Sequence, residues 1–352
     1  MRTEDNILDL LMAESLKAEQ KTKRALIIQP GAIGDCILTL PLAAFIKASL
    51  QLGGLDMLGH TEYIGFFPGR TCIDSVSSID SVDLHRLFAD PNDFILPDRD
   101  PLIKTFSAYS WIVTFMGEPE SNFEKNLIFT TNCSNNSEVI TLSQEPSKKF
   151  PEHISQYLIR QFLNQYTPSF DSSVPTDKDC HIKATQTDIF QGKELLWEFG
   201  LEPQKKLVVI QPGSGSLDKC WHFENYLSII HELRSQNIQA VFLLGPAEME
   251  RFSKETIQLF TKETKCLAEL PLNDVLKIMT CTDVFIGNDS GITHLAASLG
   301  VKTIVVFGPT NKDVYKPIGP NVAVFSGNED FTNQPSAQLQ QDIISILQTM
   351  IA

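Results

Sequence analysis

Basic charge is scarce in this chain: 29 Lys and Arg stand against 43 Asp and Glu, for a formal net charge of −14. So acidic a surface argues against a nucleic-acid scaffold and against general affinity for anionic lipid, and any polyanionic ligand must find its cations locally. No apolar run reaches the roughly 18 to 20 residues of a membrane-spanning helix. The opening segment, MRTEDNILDLLMAESLKAEQ, is too acidic for a secretory signal. The seven cysteines, Cys36, Cys72, Cys133, Cys180, Cys220, Cys266 and Cys281, form no C-x-x-C pair and no Cys/His cluster with zinc spacing, which suits a reducing cytoplasm. Also missing are the Lys-Ser/Thr ending of a P-loop, the full G-x-G-x-x-G dinucleotide fingerprint, and a D-x-D pair placed to hold a catalytic metal.

What is present is a repeated theme. A length of 352 residues exceeds what one core usually supports, so two domains are expected. From residue 25 onward, short aliphatic runs alternate with glycine-containing turns and longer segments of helical spacing, the pattern of parallel α/β layers. In the first half the strand candidates are 25–29, 55–60, 77–84, 110–115 and 137–142; in the second they are 206–211, 240–245, 265–269, the D-V-F-I-G-N run and 303–308. Pro41 lies inside the first helical segment and is expected to kink it or end its first turn. The expected organisation is an N-terminal helical extension (1–20), docking on the body or on another subunit, and an N-terminal Rossmann-like domain (21–170). A linker (171–182), a C-terminal Rossmann-like domain (183–333) and a terminal helix (334–352) that can pack back on the first domain complete it. The runs IIQPGAIGD and VIQPGSGSLD each place Gln-Pro-Gly directly after a buried strand, so the halves look alike, with a ligand cleft expected between the carboxyl ends of their sheets.

Three turns carry candidate chemistry. In the first, Gly31 and Gly34 permit close ligand approach at a helix N-terminus, and Asp35 is either a helix cap or a catalytic carboxylate. In the second, Gly213, Ser214, Gly215 and Ser216 offer a backbone nest with Lys219 behind it, suited to a diphosphate; the plain alternative is a surface turn with a solvated lysine. Trp221 reads as packing. The third, G-N-D-S-G-I-T-H, runs from a strand into a small-residue helix. Asp289 can accept from sugar hydroxyls and Ser290 and the Gly291 amide can donate to phosphate, or Asp289 and Ser290 simply cap the helix, with His294 a buried structural histidine.

These motifs together resemble glycosyltransferase family 9, the heptosyltransferases of lipopolysaccharide core assembly. The matching stretches are G-A-I-G-D-C-I-L-T-L-P, the D-K-x-W turn, L-P-L-N-D-V-L, and N-D-S-G-I-T-H-L-A-A-S-L-G followed by V-V-F-G-P-T. The resemblance implies a GT-B fold, two Rossmann-like domains with mostly parallel sheets facing a central cleft. It implies a metal-independent, inverting transfer of a sugar, heptose from an ADP carrier, to a saccharide or lipid-linked acceptor at the cytoplasmic face of the inner membrane. No cofactor is expected, since the nucleotide-sugar is a substrate.

Carried over by residue, the resemblance makes Asp35 the base for the acceptor hydroxyl and Lys219 the partner of the donor phosphates. Asp289, Ser290, Gly291 and His294 become the donor loop. Leu270 falls where adenine is held through backbone groups, and Glu248 or Glu250 where the ribose is reached. Gly31, Ile33, Gly34, Arg70 and Arg86 are assigned to the acceptor side. Two competing readings are a non-catalytic nucleotide-sugar binder and a nicotinamide-dependent oxidoreductase, the latter disfavoured by the missing fingerprint.

Overall fold

The computed structural model describes residues 23–147, 150–166, 181–327 and 330–351. The expected N-terminal extension lies outside the described residues, as does the expected linker apart from 181–182. The chain divides into two compact units.

The first unit holds β1 (Arg24–Gln29), β2 (Gly54–Gly59), β3 (Ser75–Ser78), β4 (Trp111–Thr114) and β5 (Glu138–Thr141), paired throughout in parallel in the order β3-β2-β1-β4-β5. β1, β2 and β4 are buried or nearly so along their length, which is why they read as continuous apolar runs. One face is covered by a core including Leu26, Ile28, Leu58, Ile112, Phe123 and Leu127. The helix Ile33–Ser49 that follows β1, whose first residues Ile33–Leu38 group with the second unit, runs through Pro41 without interruption. Its stretch from Cys36 to Ile46 is buried, so tertiary packing offsets the hydrogen bond that the proline removes.

The second unit holds β6 (Leu207–Gln211), β7 (Gln239–Leu244), β8 (Lys265–Ala268), β9 (Val284–Asn288), β10 (Lys302–Phe307) and β11 (Val322–Ser326), parallel throughout in the order β11-β10-β9-β6-β7-β8. Counted within each unit, both sheets therefore follow one winding: three strands to one side, then the chain returns to pair its fourth strand with its first. Helix starts are set by local chemistry. Thr185 and Asp188 form a reciprocal capping box at Gln186–Glu198, and Ser290 caps Gly291–Ser298. The terminal helix Ala337–Ile351 buries Ile343 and Leu347 in the core of this second unit, beside Ile304 and Val306. Its apolar face thus packs on the sheet it follows.

Candidate functional site

In the second sheet β6 and β9 are neighbours, with Gln211 opposite Gly287, yet the chain leaves β6 toward β7 and β9 toward β10. Ligands of open parallel sheets gather at such a reversal, outside the carboxyl ends of the strands. Two loops meet there, and Asn288, the fully buried last residue of β9, ties them. Its side-chain oxygen accepts from the Trp221 amide (2.9 Å) and the Tyr226 hydroxyl (2.8 Å), and its nitrogen donates to the carbonyls of Pro212 (2.8 Å) and Gly213 (3.2 Å). Trp221 is buried and meets Tyr226 edge-on at 5.2 Å, so its role is packing.

Asp289 follows, 7% exposed, with Lys219 Nζ at 2.9 Å from one carboxylate oxygen and His294 Nε2 at 3.8 Å from the other. Burial pushes this carboxyl up, but the facing His294 and Lys219 outweigh it and hold it below the ordinary aspartate range. Lys219 ends a short 3₁₀ turn, Leu217–Lys219, and its side chain stays about one-third open to solvent at 34%. A cation is thus held beside the start of the helix Gly291–Ser298, where backbone amides favour an anion. The Nδ1 of buried His294 has no hydrogen-bond partner among the described residues.

The other donor-side candidates separate into two groups. Gly213 and Ser214 are buried; the Ser214 hydroxyl donates to the Asp289 carbonyl, and its own carbonyl accepts from Arg251 (2.7 Å). Gly215 and Ser216 are exposed. Ser290 spends its hydroxyl on the protein: it donates to Gln211 Oε1 (2.7 Å) and accepts from the Thr293 amide (3.3 Å). The Ser290 hydroxyl is therefore already bonded within the protein.

Glu248 points inward, 2% exposed, accepting from the Gly245 amide (2.8 Å) and from Gln211 Nε2 (3.1 Å). Burial raises its carboxyl above the ordinary glutamate range. The expectation that it reaches a ribose is corrected on that ground, and exposed Glu250 is the remaining member of the pair. Leu270 is half-buried, between Glu269, whose φ is +52°, and Pro271, which caps the helix Leu272–Met279.

In the first unit, Gln29 ends β1 fully buried, donating to the Thr39 hydroxyl (2.8 Å) and accepting from the Gly31 amide (2.9 Å). Asp35 is half-buried in the first turn of the helix that begins at Ile33, with Gly34 beside it, in the stretch Ile33–Leu38 that groups with the second unit. It is the third residue of the helix, a first-turn position that favours a carboxylate and suits both a capping and a catalytic role. Arg86 grips Asp100 with two bonds (3.0 and 2.8 Å), and Asp100 in turn caps Pro101–Phe106, so this arginine is structural and its acceptor-side assignment is corrected. The Arg86 guanidinium holds the buried Asp100 carboxyl below the ordinary range. Arg70 donates to the Phe66 carbonyl (3.2 Å). Among the described residues no group of three or more His, Cys, Asp or Glu is placed to hold a metal ion, and no helix is long and apolar enough to cross a membrane.

Sequence reasoning missed Gln211, Asn288, Thr293 and Arg251. The one available signal was the repeated Gln-Pro-Gly, which marks Gln211 as the counterpart of Gln29.

Comparison with known proteins bears on family and fold. The family model described as glycosyltransferase family 9 (heptosyltransferase) matches residues 144–343. Lipopolysaccharide heptosyltransferase 3 of Escherichia coli K12 is 29% identical over 126 residues, 34% of this chain and 36% of that protein. The chain aligns with only about two-fifths of the length of such curated relatives. Among solved structures, a family 9 glycosyl transferase from Veillonella parvula superposes with a TM-score of 0.69 at 16% identity, covering 94% of this chain and 97% of that one. The E. coli heptosyltransferase WaaC with ADP superposes with a TM-score of 0.62 at 17% identity, covering 93% and 99%. The two parallel-sheet α/β units thus match GT-B heptosyltransferase structures.

Proposed function

We propose, from the premise that the chain belongs to glycosyltransferase family 9, that it transfers a sugar, heptose from an ADP carrier, to a saccharide or lipid-linked saccharide acceptor as in lipopolysaccharide core assembly, at the cytoplasmic membrane face. The observation that carries this reading is the Lys219–Asp289 pair at 2.9 Å, set beside a helix N-terminus at the strand-order reversal of the second sheet. One cation and several amides answer a diphosphate; the carboxylate answers sugar hydroxyls. WaaC was solved with ADP, which makes ADP the nucleotide to test first.

In the proposed step the acceptor oxygen bonds to the anomeric carbon as that carbon's bond to the diphosphate breaks, inverting its configuration. The acceptor proton passes to Asp35, and ADP leaves with its growing charge offset by Lys219 and the helix amides. The step as written calls on the lysine and the amides and on no metal, so transfer is proposed to be metal-independent. A panel of ADP-, GDP- and UDP-sugars, scored by binding with a chelator present, tests the donor half; selective binding of the ADP-sugar is expected, and loss of binding on chelation would refute metal independence. For the base, Asp35→Ala is expected to lower turnover by at least about 100-fold while ADP affinity stays near wild type. Retained turnover would sink the assignment.

A further inference from the structure

Glu248 touches no surface, yet it stands at one end of a hydrogen-bond chain that reaches the donor loop. An ionised carboxylate only accepts. The Gly245 amide occupies one oxygen (2.8 Å), so Gln211 must turn its NH₂ toward the other (3.1 Å). The carbonyl oxygen of Gln211 is thereby aimed at Ser290, whose proton it takes (2.7 Å). With that proton committed, the Ser290 oxygen accepts the Thr293 amide (3.3 Å) at the start of the helix Gly291–Ser298 and stands 3.0 Å from the Thr293 hydroxyl, which donates to the Asn288 carbonyl (2.6 Å). Space is tight there as well: a Cβ on Gly213 would collide with Glu248 Oε1.

We propose that Glu248 is a positioning residue for the donor loop: acting through Gln211, its carboxylate sets the direction of the hydrogen bonds that seat Ser290 and the helix start behind Asp289, and with them the affinity for the donor diphosphate. The effect on affinity rests on the donor reading above; the hydrogen-bond chain does not.

Glu248→Gln keeps the size of the side chain and the oxygen that Gly245 needs, but shows NH₂ to Gln211, which must then turn over and present NH₂ to Ser290. In the full-length variant, ADP binding by calorimetry is expected to weaken about five-fold, the scale of one hydrogen bond. Amide exchange across 291–298 is expected to accelerate, with a melting temperature no lower than wild type. The double variant Gln211→Glu/Glu248→Gln restores the original direction, because Glu at 211 accepts from both sides, and both readouts are expected to return. A Glu248→Gln protein with wild-type ADP affinity and wild-type exchange overturns the proposal, as does a folded double variant that fails to recover. Should the double variant not fold, the single variant decides. Should the wild type itself not bind ADP, the donor reading fails, and the exchange rates alone decide the chain: faster in the single variant upholds it, unchanged overturns it.

Discussion

The strands β1 and β6 end alike, in Gln-Pro-Gly after a buried run, but their glutamines do different things. Gln29 bonds within its own neighbourhood, to Gly31 two residues on and to Thr39 in the next helix. Gln211 bridges residues far apart in sequence, Glu248 in the helix after β7 and Ser290 after β9. A repeated backbone feature thus supports a self-contained turn in one unit and a junction of three elements in the other. Variation at the first is felt locally; at the second it reaches the candidate donor site.

The sharpest test substitutes the two glutamines in turn. Gln211→Ala strands a buried carboxylate oxygen and should cost about 3 kcal/mol in denaturant unfolding, with weaker ADP binding. Gln29→Ala should cost only about 1 kcal/mol and leave ADP binding unchanged. Equal effects on ADP binding would erase the distinction. Within the second turn, Gly213→Ala must force Glu248 aside and should destabilise by about 2 kcal/mol, whereas Gly215→Ala, with nothing within 4 Å of the added carbon, should be near neutral by thermal melt.

The smallest effects are expected in pH dependence. Asp289 has a depressed pKa in the fold, so its contribution is present above the ordinary value of 3.8 and is lost as pH falls through the lower folded value. Asp289→Asn should flatten the stability curve on that acid limb. Glu248, raised by burial and faced by Arg251, Cys220 and Tyr226, contributes in the opposite sense: its stabilisation is present below the ordinary value of 4.5 and is lost as pH rises through the folded value. Glu248→Gln should remove that decline. Urea melts from pH 3 to 8 on both variants read the two signs.

The sheets were largely legible because their central strands are apolar throughout. β11 escaped notice: four of its five residues are half-buried and the fifth is exposed, so it shows no run, and Pro317 and Pro320 precede it. The helix Asn122–Asn132 was also unread, since it buries Asn126, Thr130 and Thr131 beside Phe123 and Leu127 while Ile128 and Phe129 are exposed, which breaks up its apolar stripe. At the site, Lys219 and Asp289 were readable from their turns, but their pairing across 70 residues was not. Arg86 was misassigned because its partner is chosen by folding; the Asp100-Pro101 pair, a capped helix start, was the available clue. Glu248 likewise followed Gly245-Pro246 at the third helical position, where a side chain turns back on the chain.

Asn288 uses both lone-pair directions of its oxygen and both hydrogens of its nitrogen, on four different residues. Asparagine differs from aspartate there by one nitrogen, and a carboxylate would set an anion against two carbonyl oxygens that now receive hydrogens. Hydrolysis of that single amide, the ordinary chemical ageing of asparagine, would therefore be enough to unfasten both loops at once.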